Sequence, residues 1–98
     1  MQYSLMLSSQ VPPEETLGVA ELAERAGFDR IWLTEDYYRK AAFASCAAVL
    51  AATSRLTVGL GVTSLFLRHP TALAMEIATL HRMYGGRFEA GLGLGSPR

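Results

Sequence analysis

Four short apolar runs alternate with three segments of helical period, and this alternation limits the possible folds more than any other feature. Residues 2–7, 28–34, 56–62 and 87–92 read as strands. The segments between them carry apolar residues at steps of three and four. Strands joined by helices of about a dozen residues imply βαβ crossovers and a parallel sheet. The third run, Leu56 to Val62, is almost continuously apolar, rich in β-branched residues and glycine. A strand buried on both faces requires such a run, whereas one washed by solvent on one side would alternate.

The helical segments have recognisable ends. Pro12 and Pro13 suit a loop or a first helical turn, where a missing N–H costs nothing. Glu14 and Glu15 follow, at the positive end of the helix dipole. Leu17, Ala20, Leu22, Ala23 and Ala26 mark the expected buried stripe, and Gly27 ends the helix in a left-handed conformation. The second helix is the alanine-rich run 41–53, with Phe43, Cys46, Ala47 and Leu50 as its stripe. The third carries Leu73, Ile77, Leu80 and Tyr84, and Gly85-Gly86 stops it.

Two architectures fit this order: an open doubly wound sheet, or the N-terminal half of a TIM-type (β/α)8 barrel with about four strands and three helices. A complete barrel needs ~250 residues. Residues 1–98 are therefore expected to be a partial domain lacking its C-terminal half, or to cover exposed sheet edges by self-association.

Composition removes several functions. Nine basic residues balance nine acidic ones, and the single lysine is Lys40. No nucleic-acid partner is expected, because a polyanion-binding surface needs clustered excess Lys and Arg. The one cysteine, Cys46, permits neither an internal disulfide nor a multi-cysteine metal site, and it reads as a small core hydrophobe. No apolar run approaches the ~20 residues of a membrane span, and the N-terminus lacks a secretory pattern. A cytoplasmic protein without a membrane partner is the expectation.

In parallel α/β folds, functional residues sit on the loops after the C-terminal strand ends. Here those loops hold Ser8-Ser9-Gln10, Glu35-Asp36-Tyr37-Tyr38, Thr63 to His69, and Gly93 to Arg98. Glu35 and Asp36 are adjacent carboxylates. One is a candidate acid or base if mutual repulsion raises its pKa, and the alternative is a solvated loop capping the next helix. Two glycine-rich stretches, Gly59-Leu60-Gly61-Val62-Thr63-Ser64 and Gly91-Leu92-Gly93-Leu94-Gly95, close the third and fourth strands. Glycine in a strand marks a bulge or a close approach to a ligand. Neither stretch is GxGxxG or a P-loop, so a flat ligand across the strand ends fits better than a phosphate at a helix N-terminus. His69, before Pro70, either reaches the site or finishes a loop, and no metal-binding histidine pattern is present.

Several of these passages, in order, resemble the luciferase-like monooxygenase superfamily. They are Gly27-Phe28-Asp29-Arg30-Ile31-Trp32-Leu33-Thr34-Glu35-Asp36, Ala52-Thr53-Ser54-Arg55-Leu56-Thr57-Val58-Gly59, Arg68-His69-Pro70, Ala78-Thr79-Leu80, Gly85-Gly86-Arg87-Phe88 and Gly91 to Gly95. The resemblance implies a TIM-type barrel with an FMN or coenzyme F420 ring across the strand ends, acting as an oxidoreductase or monooxygenase on a small-molecule substrate. It implies a non-prolyl cis peptide at Gly61-Val62 in a strand bulge beneath the ring, with Glu35 near the ring's pyrimidine side. Thr63 and Ser64 are implied as cofactor contacts, and Gly93, Gly95 and Ser96 as the ring-edge loop. Many relatives carry histidine at the position of Asp36, and an aspartate cannot supply an imidazole near neutral pH. Phosphate-binding loops usually come from the last strands of such barrels, beyond the strands found here. Two other readings accompany the oxidoreductase: a truncated, non-enzymatic half-barrel remnant that self-associates, and a small open-sheet nucleotide-binding module.

Overall fold

The computed structural model describes residues 2–36 and 38–93. Its elements run β1 (Ser4–Leu7), α1 (Pro13–Arg25), β2 (Arg30–Leu33), α2 (Ala42–Ala52), β3 (Thr57–Ser64), α3 (Pro70–Met83) and β4 (Phe88–Gly93). The four strands form one sheet in the order β1-β2-β3-β4, and every neighbouring pair is parallel. Consecutive strands are thus neighbours, as in the wall of a (β/α)-barrel.

The two periodicities meet in a single core. Alternate strand residues Leu7, Ile31, Leu33, Val58, Leu60 and Phe88 pack against Ala20 of α1, Phe43, Cys46, Val49 and Leu50 of α2, and Leu73 and Leu80 of α3. Ile77 and Tyr84 join this cluster partly buried, so the expected α3 stripe holds. The expected stripe of α1 needs correction: Leu17, Leu22 and Ala26 are exposed, while Thr16, Ala20 and Ala23 are buried. Thr16 is accommodated because its hydroxyl donates to the Pro12 carbonyl at 3.3 Å and accepts from the Lys40 ammonium at 3.0 Å. A buried hydroxyl with both roles filled loses little on leaving water. Gly27 stands at φ +93° just past α1, the left-handed position expected of it.

Among the described residues, no helix covers the other sheet face. Met6, Trp32, Gly59 and Glu89 lie in register across it. The Trp32 indole lies over β3 so closely that a Cβ built on Gly59 would stand 2.3 Å from its Cε3 atom, and one on Gly61 3.0 Å. The expected burial of β3 on both faces is met in part: helices cover one side and Trp32 covers Gly59 on the other, while Gly61 is half-buried and Val62 is exposed. Arg30 reaches over the same indole, 5.5 Å from its centroid, and pairs with Glu89 at 3.0 Å.

Two hydrogen-bonded ties close the end of the sheet remote from the candidate site. The Glu24 carboxylate accepts from the backbone N–H groups of Ser54, Arg55 and Leu56 at 2.7–3.2 Å. Arg87 donates to the Leu56 carbonyl at 2.9 Å and to the Thr53 hydroxyl at 2.8 Å.

Candidate functional site at the C-terminal strand ends

The bulge in β3 governs the geometry of the site. Gly61 pairs with Gly91, but Thr63 pairs with Leu92 and Ser64 with Gly93, which leaves Val62 as the extra residue. The Gly61–Val62 peptide bond is cis, as the resemblance implies. The Val62 side chain lies over β4: a Cβ on Gly91 would stand 3.0 Å from Val62 Cγ1, and one on Gly93 3.3 Å from Cγ2. The glycines thus make room for protein side chains, Gly59 and Gly61 for Trp32, and Gly91 and Gly93 for Val62. Val62 itself stays 52% exposed at the open end of the sheet.

Thr63 lies on the helix side and is fully buried. Its hydroxyl donates to Glu35 Oε1 at 2.6 Å and accepts from Arg68 Nη1 at 3.0 Å. The Thr63 hydroxyl is thus engaged inside the protein, with Glu35 and Arg68. Ser64 is half-buried, and its hydroxyl accepts from the Phe66 N–H at 3.1 Å. Gly93 ends β4, whereas Gly95 and Ser96 lie outside the described residues, as does Tyr37.

Glu35 is the hub of this end of the sheet. Arg68 grips its carboxylate with two bonds of 2.7 Å, and the Ala42 N–H at the start of α2 donates to Oε2, also at 2.7 Å. The carboxylate thereby supplies the anion that the uncapped α2 N-terminus favours. Arg68 is seated over Phe43, 4.8 Å from the ring centroid. Burial alone would push the Glu35 carboxyl up. The bonds from Arg68, Thr63 and Ala42, together with the Arg68 charge, outweigh burial and hold it below the usual carboxylate range. The raised pKa expected from repulsion by Asp36 is thus not found for Glu35.

The neighbouring carboxylate serves another contact. Asp36 is exposed and accepts a hydrogen bond from the Ser9 hydroxyl, while the Ser9 N–H donates to Thr34 Oγ1 at 2.8 Å. The two acidic residues thus diverge, as alternation along a strand predicts. Glu35 is locked into the protein and Asp36 is held at the surface of the open end. His69 caps α3, its Nδ1 accepting from the Thr71 N–H at 3.1 Å, so it finishes a loop.

Sequence reasoning missed Arg68 as a site residue and Trp32 as the reason for two glycines. Arg68 lies 33 positions from Glu35, so no local spacing relates them. The pairing of Met6, Trp32 and Gly59 becomes visible only once strand order and register are known.

Comparison with known proteins fits this arrangement. The family model for luciferase-like monooxygenase matches residues 1–98. A 5,10-methylenetetrahydromethanopterin reductase from Methanolobus tindarius is 33% identical over 88 residues, covering 87% of this chain and 27% of the relative. The structure of the coenzyme F420 dependent tetrahydromethanopterin reductase from Methanopyrus kandleri superposes with a TM-score of 0.86 at 28% identity, over 97% of this chain and 27% of that one. The oxygenating constituent of 3,6-diketocamphane monooxygenase from Pseudomonas putida, in complex with FMN, shares the fold at a TM-score of 0.86 and 21% identity. That match covers 98% of this chain and 30% of the monooxygenase. The chain therefore spans a little over a quarter of the length of these relatives. By sequence and by fold, it belongs to the luciferase-like monooxygenase family.

Proposed function

We propose that this chain supplies the N-terminal strands of an oxidoreductase that uses FMN or coenzyme F420 on a small organic substrate. The observation that carries the reading is Val62, bulged from β3, seated on Gly91 and Gly93, and half-exposed where the parallel strands end. A branched apolar side chain backed by two glycines suits the face of a flat ring system. Ser64 and Gly93, with Gly95 and Ser96 beyond the described residues, would complete the contacts. The bound cofactor would supply hydride transfer, or oxygen activation in the case of FMN, while the protein contributes positioning and electrostatics.

The two carboxylates divide the remaining work in this reading. Glu35 is committed to Arg68, Thr63 and the α2 N-terminus, and it shapes the site. Asp36, exposed and steadied by Ser9, is the carboxylate available to meet substrate as hydrogen-bond acceptor or base. A homo-oligomer belongs to the same proposal. An apolar groove of about 620 Å³ lined by Ala44, Ala47, Ala72 and Met75 offers a surface for a second copy, which light scattering across concentrations would reveal. A cytoplasmic location accords with the buried free thiol of Cys46.

The test is a titration of the purified protein with FMN and with F420, followed by absorbance and fluorescence. Weak but saturable binding of one of them is the expected result, because the phosphate-binding loops of such barrels usually come from later strands. Reduction by NADPH would then indicate FMN, and substrate-driven bleaching would indicate F420. Failure of both to bind would overturn the reading.

A further inference from the structure

We infer that Arg68 is a positioning residue that fixes the register in which β3 leaves its bulge and so holds Val62 over β4. The consequence for a cofactor rests on the proposed function, but the geometry does not. A bulge inserts one residue, and every residue after it must choose a face. A slip of one position would turn Thr63 to the open face and bury Val62 or Ser64 among the helices.

Three contacts oppose that slip. The Thr63 hydroxyl donates to Glu35 at 2.6 Å and accepts from Arg68 at 3.0 Å, so Thr63 must face the helices. Glu35 cannot follow a shifted strand, because the Ala42 N–H holds it at 2.7 Å from the start of α2. Arg68 closes the arrangement with two bonds to Glu35 and by lying on the Phe43 ring. Its planar fork serves both Glu35 oxygens and the Thr63 hydroxyl at once, which a lysine ammonium does not reproduce. With Thr63 fixed on one side, Val62 is delivered to the other, above Gly91 and Gly93.

Arg68→Lys keeps the charge and loses the fork, and Thr63→Val keeps the shape and loses the hydroxyl. Methyl-labelled Val62 reports the geometry through nuclear Overhauser effects to the α-protons of Gly91 and Gly93, with no cofactor present. Both variants are expected to lose about half or more of that intensity, with helical circular dichroism retained. Both are also expected to weaken cofactor binding about tenfold, the size of one lost charge-assisted hydrogen bond. Wild-type Val62 contacts in Arg68→Lys would overturn the inference, even if its melting temperature fell, because a merely structural role lowers stability without moving Val62. If the native protein binds neither cofactor while the Val62 contacts still respond, the register role stands and the proposed function fails.

Discussion

Adding one methyl group at Gly59 tests the packing of the open sheet face. The new Cβ would meet Trp32 Cε3 at 2.3 Å, Cζ3 at 2.4 Å and Cδ2 at 2.9 Å. Carbon atoms rest at ~3.5–4.0 Å from one another, so the indole must move by roughly an ångström or more. Neither backbone can retreat easily, because Gly59 is paired with Trp32 on one side and with Glu89 on the other. Overpacking of this kind costs about 1–3 kcal/mol, and a domain of this size loses about 4–8 °C of melting temperature per kcal/mol. Gly59→Ala is therefore expected to lower the melting temperature by about 5–20 °C. Trp32 is the only tryptophan, so its emission reports the displacement directly. In a Trp32→Leu background the same substitution should cost much less, giving a coupling of about 1 kcal/mol or more between the two sites. If Gly59→Ala left both the Trp32 emission and the melting temperature unchanged, the close packing of indole on strand would be refuted.

Two further outcomes follow from the buried groups. The folded-state pKa of Glu35 lies below its unfolded value, so its contribution to stability is fully present above about pH 4.3 and is lost as pH falls through the lower folded value. Urea midpoints from about pH 3 to 7 should show that acid-linked loss in the native protein and a flatter profile in Glu35→Gln. The variant should also be weaker at neutral pH by about 3 kcal/mol, because Arg68 loses its buried partner. A native-like neutral midpoint in Glu35→Gln would contradict the assigned network. Burial, with the Glu35 charge adding to it and Lys40 opposing, pushes the Cys46 thiol up to about 12. Folded protein at about pH 8 should therefore resist a thiol-disulfide reagent until it unfolds, and rapid stoichiometric labelling of the native state would count against the buried position.

The fold was legible where physical periodicity is local. Helical steps in α3 and the near-continuous apolar run of β3 each follow from which side faces the core, and the structure keeps α3 and β3 as far as Leu60, with Val62 exposed. The α1 stripe was less legible, because Leu17 and Leu22 look equivalent to Ala20 and Ala23 on a hydropathy count. Small side chains are what fit against the core there, with Thr16 admitted by its hydrogen bonds. The candidate site was legible as a set of loops, not as a set of contacts. Glycines at 59, 61, 91 and 93 signalled close approach, yet what approaches is Trp32 or Val62. The partner of Glu35 is fixed by the parallel register and the β3–α3 loop together, and neither leaves a trace in spacing.

The residues that carry the family resemblance mostly do scaffold work, and that bears on how substrate choice can vary. Ser54-Arg55-Leu56 offers three N–H groups to Glu24, Arg87 ties Leu56 to Thr53, His69 caps α3, and Arg68 grips Glu35. Each of these groups is already satisfied by the protein, so changing one should alter stability or the position of Val62 before it alters substrate preference. Asp36 is different, because it is exposed, its side chain bonds to Ser9 among the described residues, and it stands at the open strand ends. A residue so placed can change its chemistry without disturbing the network around Glu35. Within the proposed function, a carboxylate there favours substrates that present a hydrogen-bond donor or a positive charge. In that proposal the aspartate at position 36 bears on what the site accepts, while the network around Glu35 bears on how Val62 is held.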